Sequence, residues 1–192
     1  MYKKRKTMRK IIILIIFLFG SGFQFIHSNL PSNQLNTIEK NNQKETMHSV
    51  SLSRPIDGDT TEFIVDGKKK KVRYLLIDTP ETKKPGTPIQ PFGLDASNRT
   101  KELLQQAQSI ELKEDPNNST DKYGRSLAYV YVDGELLQNI LVREGLARVA
   151  YVQSSSDQVI LESLLAEEQQ AKVEKIGIWS IDGYVTEKGF NP

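Results

Sequence analysis

A two-residue turn between strand-like segments is the feature that most limits how this chain can fold. Thr60–Val65 and Lys68–Ile77 are both typical of strands, and only Asp66 and Gly67 separate them. An Asp-Gly pair in that place predicts a tight hairpin, because both residues tolerate the positive φ angles of a type I′ turn. The two strands therefore pair from the turn outward, and their far ends lie at the same end of the ladder.

The order of predicted elements then indicates the fold class. It runs three strands, one helix, two strands and two helices. The strands are Val50–Ile56, Thr60–Val65, Lys68–Ile77, Ser109–Glu114 and Ser126–Val132, and the helices are Phe92–Ala107, Glu135–Glu144 and Asp157–Lys175. Helices do not alternate with strands, so a parallel βαβ sheet is not expected. We predict an α+β fold with a mainly β core: a small, closed, antiparallel five-stranded OB-fold barrel with three packed helices.

Residues 1–28 have the composition of a secretory signal peptide. Six basic residues precede an unbroken apolar run, Ile11–Phe19, which Gly20 interrupts. A spanning helix needs roughly 20 apolar residues, so this shorter run predicts a signal that is cleaved near Ser28. The alternative is an uncleaved anchor through residues 11–26. Either outcome predicts a secreted or extracytoplasmic protein, which in the second case stays at the cell surface.

The rest of the chain divides by composition. Residues 29–48 are rich in Asn, Gln, Ser, Lys and Glu and are predicted to form a disordered polar linker. The folded domain is expected over residues 49–183, with a tail over 184–192. Beyond residue 28 the chain carries 20 basic and 24 acidic side chains, a net charge of −4. Any nucleic-acid site must therefore be a local basic patch on a mildly acidic body. No feature indicates a protein partner, so a monomer is expected.

Acidic residues follow two of the predicted strands. Asp59 comes just after the first strand and Asp78 ends the third, so the hairpin brings both to one end of the ladder. Converging carboxylates raise each other's pKa unless a cation neutralises them, and oxygen ligands without His or Cys favour Ca²⁺ or Mg²⁺ over zinc.

Thr79 is extended because it precedes Pro80, which frees its carbonyl as a third ligand. Glu81 could accept a proton from an attacking water. Each fragment alone is equally typical of an ordinary turn.

Arg73 lies inside an apolar strand, where an unpaired charge costs several kcal/mol. It must either point outward or bind an anion. Strict alternation along the strand puts Arg73 and Asp78 on opposite faces. A shared site therefore requires a bulge, or an Asp78 that lies beyond the regular strand.

A second basic cluster is found in the polar loop before the last strand. Arg125 follows Lys122, Tyr123 and Gly124. A guanidinium group matches a phosphate with two parallel hydrogen bonds, which a lysine cannot do. Tyr123 and Tyr151 offer rings on which a base could stack. On its own, Arg125 is equally well explained as a surface charge.

Three motifs taken together resemble the staphylococcal nuclease (thermonuclease) family: Ile56–Thr60, Val72–Thr82 and Thr120–Arg125. Gly145–Val152 and Ile178–Ser180 continue the resemblance in order. The resemblance implies an OB-fold barrel with three helices. It also implies a nuclease that needs one Ca²⁺ ion and cuts DNA and RNA, with single strands preferred, to products ending in 3′-phosphate.

The resemblance also implies roles for nine residues, in three groups. The implied calcium ligands are the carboxylates of Asp59 and Asp78 and the backbone carbonyl of Thr79. The implied catalytic residues are the general base Glu81 and the phosphate-binding pair Arg73 and Arg125. The implied nucleotide-binding residues are Lys122, Tyr123 and Tyr151. One position departs from the family pattern, since Gln153 stands where the type member has a second tyrosine.

Two other functions are compatible with parts of this pattern. A non-catalytic OB-fold module that binds single-stranded nucleic acid would share the fold, since fold alone does not determine function. Such a module would have no need of Asp59, Arg73, Asp78, Glu81 and Arg125 together. An exported phosphodiesterase that acts on small molecules would share the residues, and a comparison of a dinucleotide with long single-stranded DNA separates that alternative.

Overall fold

The structure is a computed structural model, and it describes residues 47–82, 86, 88–115 and 119–191. The strands are β1 (Met47–Ser49), β2 (Ser51–Asp57), β3 (Thr60–Val65), β4 (Lys68–Tyr74), β5 (Ile77–Asp78), β6 (Ile110–Glu114), β7 (Ser126–Val132), β8 (Glu135–Leu136), β9 (Arg148–Val149), β10 (Val185–Thr186) and β11 (Gly189–Phe190). The helices are α1 (Gly93–Gln106), α2 (Leu137–Arg143) and α3 (Gln158–Glu174), and a 3₁₀ turn follows at Gly177–Ser180. Mixed strands and three helices make the fold α+β, as predicted.

The main sheet has the strand order β1-β6-β7-β4-β3-β2, and β8 adds to β7. Every neighbouring pair is antiparallel except β4 and β7, which run parallel with Val72 opposite Ser126. The expectation of a fully antiparallel barrel was wrong for this pair. The reason is the connection, because α1 and β6 lie between the two strands and return the chain in the same direction.

The two edges of this sheet are consecutive in the chain. β1 pairs with β6 and β2 pairs with β3, and only Val50 separates β1 from β2. The Val50 N–H donates to the Ile110 carbonyl at 2.9 Å, which extends the β1–β6 pairing to the junction. Among the described residues no hydrogen-bonded ladder joins β1 to β2, so the barrel is not closed as predicted: the chain connects the two sheet edges at Val50, but no strand pairing does.

The hairpin that connects β3 and β4 has the geometry expected from the sequence. Asp66 and Gly67 have φ angles of 50° and 74°, which confirms the two-residue turn. The register runs from Val65 opposite Lys68 to Thr60 opposite Arg73. This register places Arg73 at the end of the ladder near Asp59, which lies between β2 and β3.

A second tight turn resolves the alternation problem between Arg73 and Asp78. β4 ends at Tyr74, and Leu76 adopts a φ angle of 64° before β5 begins. Nη1 of Arg73 donates to the carbonyls of Tyr74 and Ile77 at 2.7 and 2.9 Å, on either side of the turn. The turn, and not a bulge, brings Arg73 and Asp78 to the same side.

Apolar side chains from the sheet and all three helices form one core. Its fully buried members include Phe63, Val72, Ile77, Ala96, Ala128, Val130, Leu137, Leu141 and Leu164. α3 begins where the Asp157 carboxylate caps the Ile160 N–H at 3.1 Å. α1 packs against β2, α2 packs against β7, and α3 packs on α2.

Gly145 ends α2 in a place where a side chain has no room. Its φ angle is 64°, and a Cβ there would lie 2.4 Å from the Ile176 carbonyl oxygen. We expect Gly145→Ala to lower the free energy of unfolding by at least about 2 kcal/mol, because backbone strain adds to the clash. Gly134→Ala is the matched control: its φ angle is 84°, but nothing lies within 4 Å of the added Cβ. Urea denaturation measures the free energy of unfolding of both variants. Equal losses in the two variants would show that the Cβ clash at Gly145 has no effect.

Several sequence-based predictions fall outside the described residues. These are the signal peptide over 1–28, the alternative anchor over 11–26 and the linker over 29–46. Residues 47–48, the last two of the predicted linker, begin β1, and part of the predicted tail forms the β10–β11 hairpin. Of the helices that the structure describes, none has both the length and the apolar character needed to cross a bilayer.

Candidate active site

A buried arginine lies between the two predicted metal-binding carboxylates. Arg73 is only 8% exposed, and its Nη2 is 3.1 Å from Asp59 Oδ2 and 3.4 Å from Asp78 Oδ1. The β3–β4 register and the Leu76 turn bring these groups together from three separate segments. The two carboxylates therefore lie side by side against one guanidinium group.

Asp59 is held in place by donors from two directions. Its Oδ2 accepts hydrogen bonds from the backbone N–H and the hydroxyl of Thr79, each at 3.1 Å. Its Oδ1 accepts the Thr60 hydroxyl at 3.0 Å. Asp59 and Thr79 are both buried, at 7% and 6% exposure. The structure thus places the predicted ligand residue Thr79 directly beside Asp59.

Asp78 has a second cationic partner that the sequence analysis did not identify. Nε and Nη2 of Arg148 approach Asp78 Oδ2 at 3.1 and 2.9 Å, because β9 pairs with β5 and sets the two residues opposite each other. Burial raises the pKa of Asp78 above its usual value, and the neighbouring charge of Asp59 adds to the rise. The nearby guanidinium groups of Arg148 and Arg73 limit that rise. Arg148 lies in the segment Gly145–Val152, which continues the family resemblance, but no site role was predicted for it.

Asp57 adds another carboxylate to this group. Its Oδ1 accepts the Gly58 N–H at 2.8 Å and the Thr82 hydroxyl at 2.7 Å. Burial raises its pKa to about 6, and the adjacent carboxylates of Asp59 and Glu81 contribute in the same direction.

Glu81 lies at the start of the loop that follows β5. Its backbone N–H donates to the side-chain oxygen of Gln90 at 2.7 Å, and its carbonyl accepts the Gln90 N–H at 3.0 Å. The Glu81 carboxylate accepts the Thr82 N–H at 3.0 Å. Gln90 thus holds the backbone of Glu81 on both sides, although the sequence offers no sign of this contact.

Arg125 approaches the site from the opposite side. Its Nε donates to Asp121 Oδ2 at 2.7 Å, and Asp121 Oδ1 accepts the Arg125 backbone N–H at 2.9 Å. Its Nη1 reaches the Thr60 hydroxyl at 3.3 Å, and that hydroxyl in turn bonds to Asp59. Arg125 and Arg73 therefore lie at the same end of the β3–β4–β7 ladder.

A cleft of about 510 Å³ opens beside the two arginines. The residues predicted to bind the phosphate and the nucleotide line this cleft: Arg73, Arg125, Lys122, Tyr123 and Tyr151. Gln153, the position that departs from the family pattern, lines it as well. Tyr123 and Tyr151 are 73% and 65% exposed, so their rings are open to a ligand. The ring of Tyr151 lies 5.4 Å from the Arg73 guanidinium carbon, and its hydroxyl donates to Asp78 at 3.3 Å.

The donor set at this site fits a hard divalent cation. In the part of the chain that the structure describes, no three His, Cys, Asp or Glu side chains are grouped to hold a metal. The candidates are therefore the oxygens of Asp59, Asp78 and Thr79, completed by water, which is a set that Ca²⁺ accepts. Burial raises the pKa values of Asp57 and Asp78, the charge of the neighbouring Asp59 adds to the rise, and a bound cation would oppose it.

Comparison with known proteins identifies the family of this chain. Residues 71–181 match the model of the staphylococcal nuclease homologue family. The chain is 48% identical over 179 residues to endonuclease YncB of Bacillus subtilis (strain 168), which covers 90% of this chain and 83% of that protein. It is 36% identical over 176 residues to the thermonuclease of Staphylococcus intermedius, with 91% and 98% of the two chains covered. A third relative, the SPbeta prophage-derived endonuclease YokF of Bacillus subtilis (strain 168), is 53% identical over 142 residues, 74% of this chain but 47% of its own length.

These similarities extend over most of the chain and include proteins named as endonucleases and thermonucleases. The OB-fold of the matched domain confirms the fold class predicted from the order of elements. The roles of the individual site residues stay predictions. Because the family model matches more than half of the chain and close relatives are matched along most of their length, the chain belongs to the staphylococcal nuclease family.

Proposed function

We propose that this nuclease is a calcium-dependent endonuclease that hydrolyses both DNA and RNA, with a preference for single strands, and leaves 3′-phosphate ends. The observation that carries the proposal is the convergence of two carboxylates, those of Asp59 and Asp78, and two cleft-facing arginines at one end of the β3–β4 ladder. A cleft with aromatic rings on its rim suits an unpaired strand, because exposed bases can stack there. The active form is proposed to be the monomer.

The proposed site divides the chemistry between its two sides. Asp59, Asp78 and the Thr79 carbonyl would hold the Ca²⁺ ion, which supplies charge that polarises a phosphoryl oxygen. Arg73 and Arg125 bind the other oxygens of the same phosphate and stabilise the negative charge that builds up in the transition state. These two arginines approach from different strands, so they can contact different oxygens.

Glu81 is proposed to accept the proton of the attacking water. The water oxygen forms a new bond to phosphorus as its proton passes to Glu81, the bond from phosphorus to the 5′-oxygen breaks, and that oxygen takes a proton from solvent water and leaves as a hydroxyl while Glu81 returns its proton to solvent. A 3′-phosphate remains on the other fragment. Gln90 fixes the Glu81 backbone through two hydrogen bonds, which limits the movement of the base.

Tyr151 provides a prediction about substrate affinity. Its ring is exposed at the cleft and covers Arg73, so Tyr151→Ala removes a stacking surface without creating a cavity in the core. We expect KM for denatured DNA to rise by the equivalent of about 1–3 kcal/mol, with a smaller change in kcat. Steady-state kinetics on single-stranded DNA measure both constants. An unchanged KM would exclude Tyr151 from substrate binding.

The proposal is tested by digesting heat-denatured DNA and RNA with added Ca²⁺ and then with a calcium-selective chelator. We expect cleavage of both polymers, loss of cleavage with the chelator, and recovery when Ca²⁺ is restored. Phosphatase sensitivity of the 3′ ends identifies the product. Binding without cleavage would support the non-catalytic module instead, and faster hydrolysis of a dinucleotide than of long DNA would support a small-molecule phosphodiesterase.

We also propose that the protein acts outside the cytoplasm. The support is the sequence of residues 1–28, with six basic residues followed by a short apolar run. Expression in a Gram-positive host, followed by N-terminal sequencing of protein from the medium and from the membrane fraction, separates a cleaved signal from an anchor. Recovery of the uncut chain from the cytoplasm would contradict the proposal.

A further inference from the structure

The β10–β11 hairpin contacts residues that hold parts of the candidate active site in place. It lies beyond residues 71–181, which match the family model, and the residue before it, Tyr184, is only 4% exposed. The ring of Tyr184 lies against that of Phe190, with centroids 5.4 Å apart. The Asn191 N–H closes this segment by donating to the Tyr184 carbonyl at 2.8 Å. The hairpin is thus a small, internally bonded unit.

One set of contacts links this hairpin to the loop that carries Glu81. The Tyr184 hydroxyl donates to the Pro91 carbonyl at 2.7 Å. The side-chain nitrogen of the adjacent Gln90 donates to the Phe190 carbonyl at 3.5 Å. Through its other atoms, Gln90 both accepts from and donates to the backbone of Glu81. A continuous path of hydrogen bonds therefore runs from the hairpin to the proposed general base.

A second set of contacts links the hairpin to Asp78 through Arg148. The guanidinium carbon of Arg148 lies 5.8 Å from the centroid of the Phe190 ring, and its Nη1 donates to the Glu187 carbonyl at 3.4 Å. The same guanidinium group binds Asp78 Oδ2 with its Nε and Nη2. The hairpin therefore contacts the partners of two active-site residues.

We infer that the hairpin formed by Tyr184–Asn191 is a positioning element of the active site, which fixes Glu81 through Gln90 and Asp78 through Arg148. The inference rests on the proposed roles of Glu81 and Asp78. A general base contributes fully only when its carboxylate is held at the correct distance from the water, and small misplacements cost large factors in rate. Tyr184 and Phe190 are thus positioning residues, since they act through Gln90 and Arg148.

The test uses the full chain with Tyr184→Phe and Phe190→Ala combined. Lys188→Ala is the matched control, because Lys188 is exposed at the tip of the same hairpin. Hydrogen exchange measured by NMR compares the Glu81 amide, which donates to Gln90, with a reference amide in the sheet. The reference is the amide of Val130 in β7, which donates to the side chain of Gln138 in α2. Tyr184→Phe removes one hydrogen bond, worth about 1 kcal/mol or roughly fivefold, and Phe190→Ala removes ring contacts that are worth roughly a further twofold. We therefore expect Glu81 to exchange about tenfold faster, Val130 to be unaffected, and kcat to fall about tenfold with little change in KM.

Two results would overturn the inference: unchanged exchange at Glu81, or faster exchange with an unchanged kcat. If the double variant fails to fold, Tyr184→Phe alone gives the same measurements, with an expected change of about fivefold. Glu81→Gln distinguishes the inference from the function on which it rests. A fully active Glu81→Gln variant contradicts the proposed function, whereas an inactive Glu81→Gln variant beside a fully active hairpin variant contradicts only the positioning role.

Discussion

Replacing Arg125 with alanine is expected to lower kcat on denatured DNA by about 10²–10³. Arg125 is half-buried at the rim of the cleft, where its nearest charged partner is Asp121 in the same loop. Its removal takes one preorganised positive charge away from the developing phosphate charge. It leaves the core untouched, so the melting temperature should stay close to that of the wild type.

Arg125→Lys is the informative companion to this substitution. A lysine keeps the charge but cannot make two parallel hydrogen bonds to a phosphate. We expect it to recover only a small part of kcat. Full recovery by lysine would mean that the position supplies charge alone, and full activity of the alanine variant would remove Arg125 from the site.

Arg73→Ala is expected to affect both activity and stability. Arg73 is buried between Asp59 and Asp78, so its loss leaves one buried and one half-buried carboxylate with less compensation. Breaking a buried ion pair by removing one partner typically costs about 3–5 kcal/mol. We expect a loss of that size in urea denaturation, together with a drop in kcat of about 10²–10³ at a temperature where the variant is still folded.

A comparison of the stabilities of the Arg73 and Arg125 variants tests the unequal burial of the two side chains. Sequence reasoning treats Arg73 and Arg125 as an equivalent phosphate-binding pair, whereas the structure gives them unequal burial. Arg73→Lys should restore much of the stability and little of the rate, because a lysine can still pair with the carboxylates. Equal stability of Arg73→Ala and Arg125→Ala would contradict the buried position of Arg73.

The parts of the site that the sequence predicted are those encoded by local chemistry. Asp66 and Gly67 define a turn type by themselves, and the register of β3 and β4 follows from that turn. The positions of Asp59 and Arg73 at one end of the ladder are therefore accessible without a structure. The third helix, predicted as Asp157–Lys175, was also correct to within one residue at each end.

The parts that were missed depend on non-local pairing. Leu76 adopts a positive φ angle, which leucine rarely does, so no sequence signal marks the turn that reunites Arg73 with Asp78. Arg148 reaches Asp78 only because β5 pairs with β9, about 70 residues later in the chain. The parallel pairing of β4 with β7 likewise depends on the path of the intervening chain.

Calcium binding measured by isothermal titration calorimetry tests most directly whether Asp59 and Asp78 hold the metal. We expect one Ca²⁺ site in the wild type and in Arg125→Ala, and a lost or strongly weakened site in Asp59→Asn and Asp78→Asn. Thermal melting shows that each variant is folded. If both asparagine variants bind Ca²⁺ as tightly as the wild type, these carboxylates do not hold the metal and the proposed site is wrong.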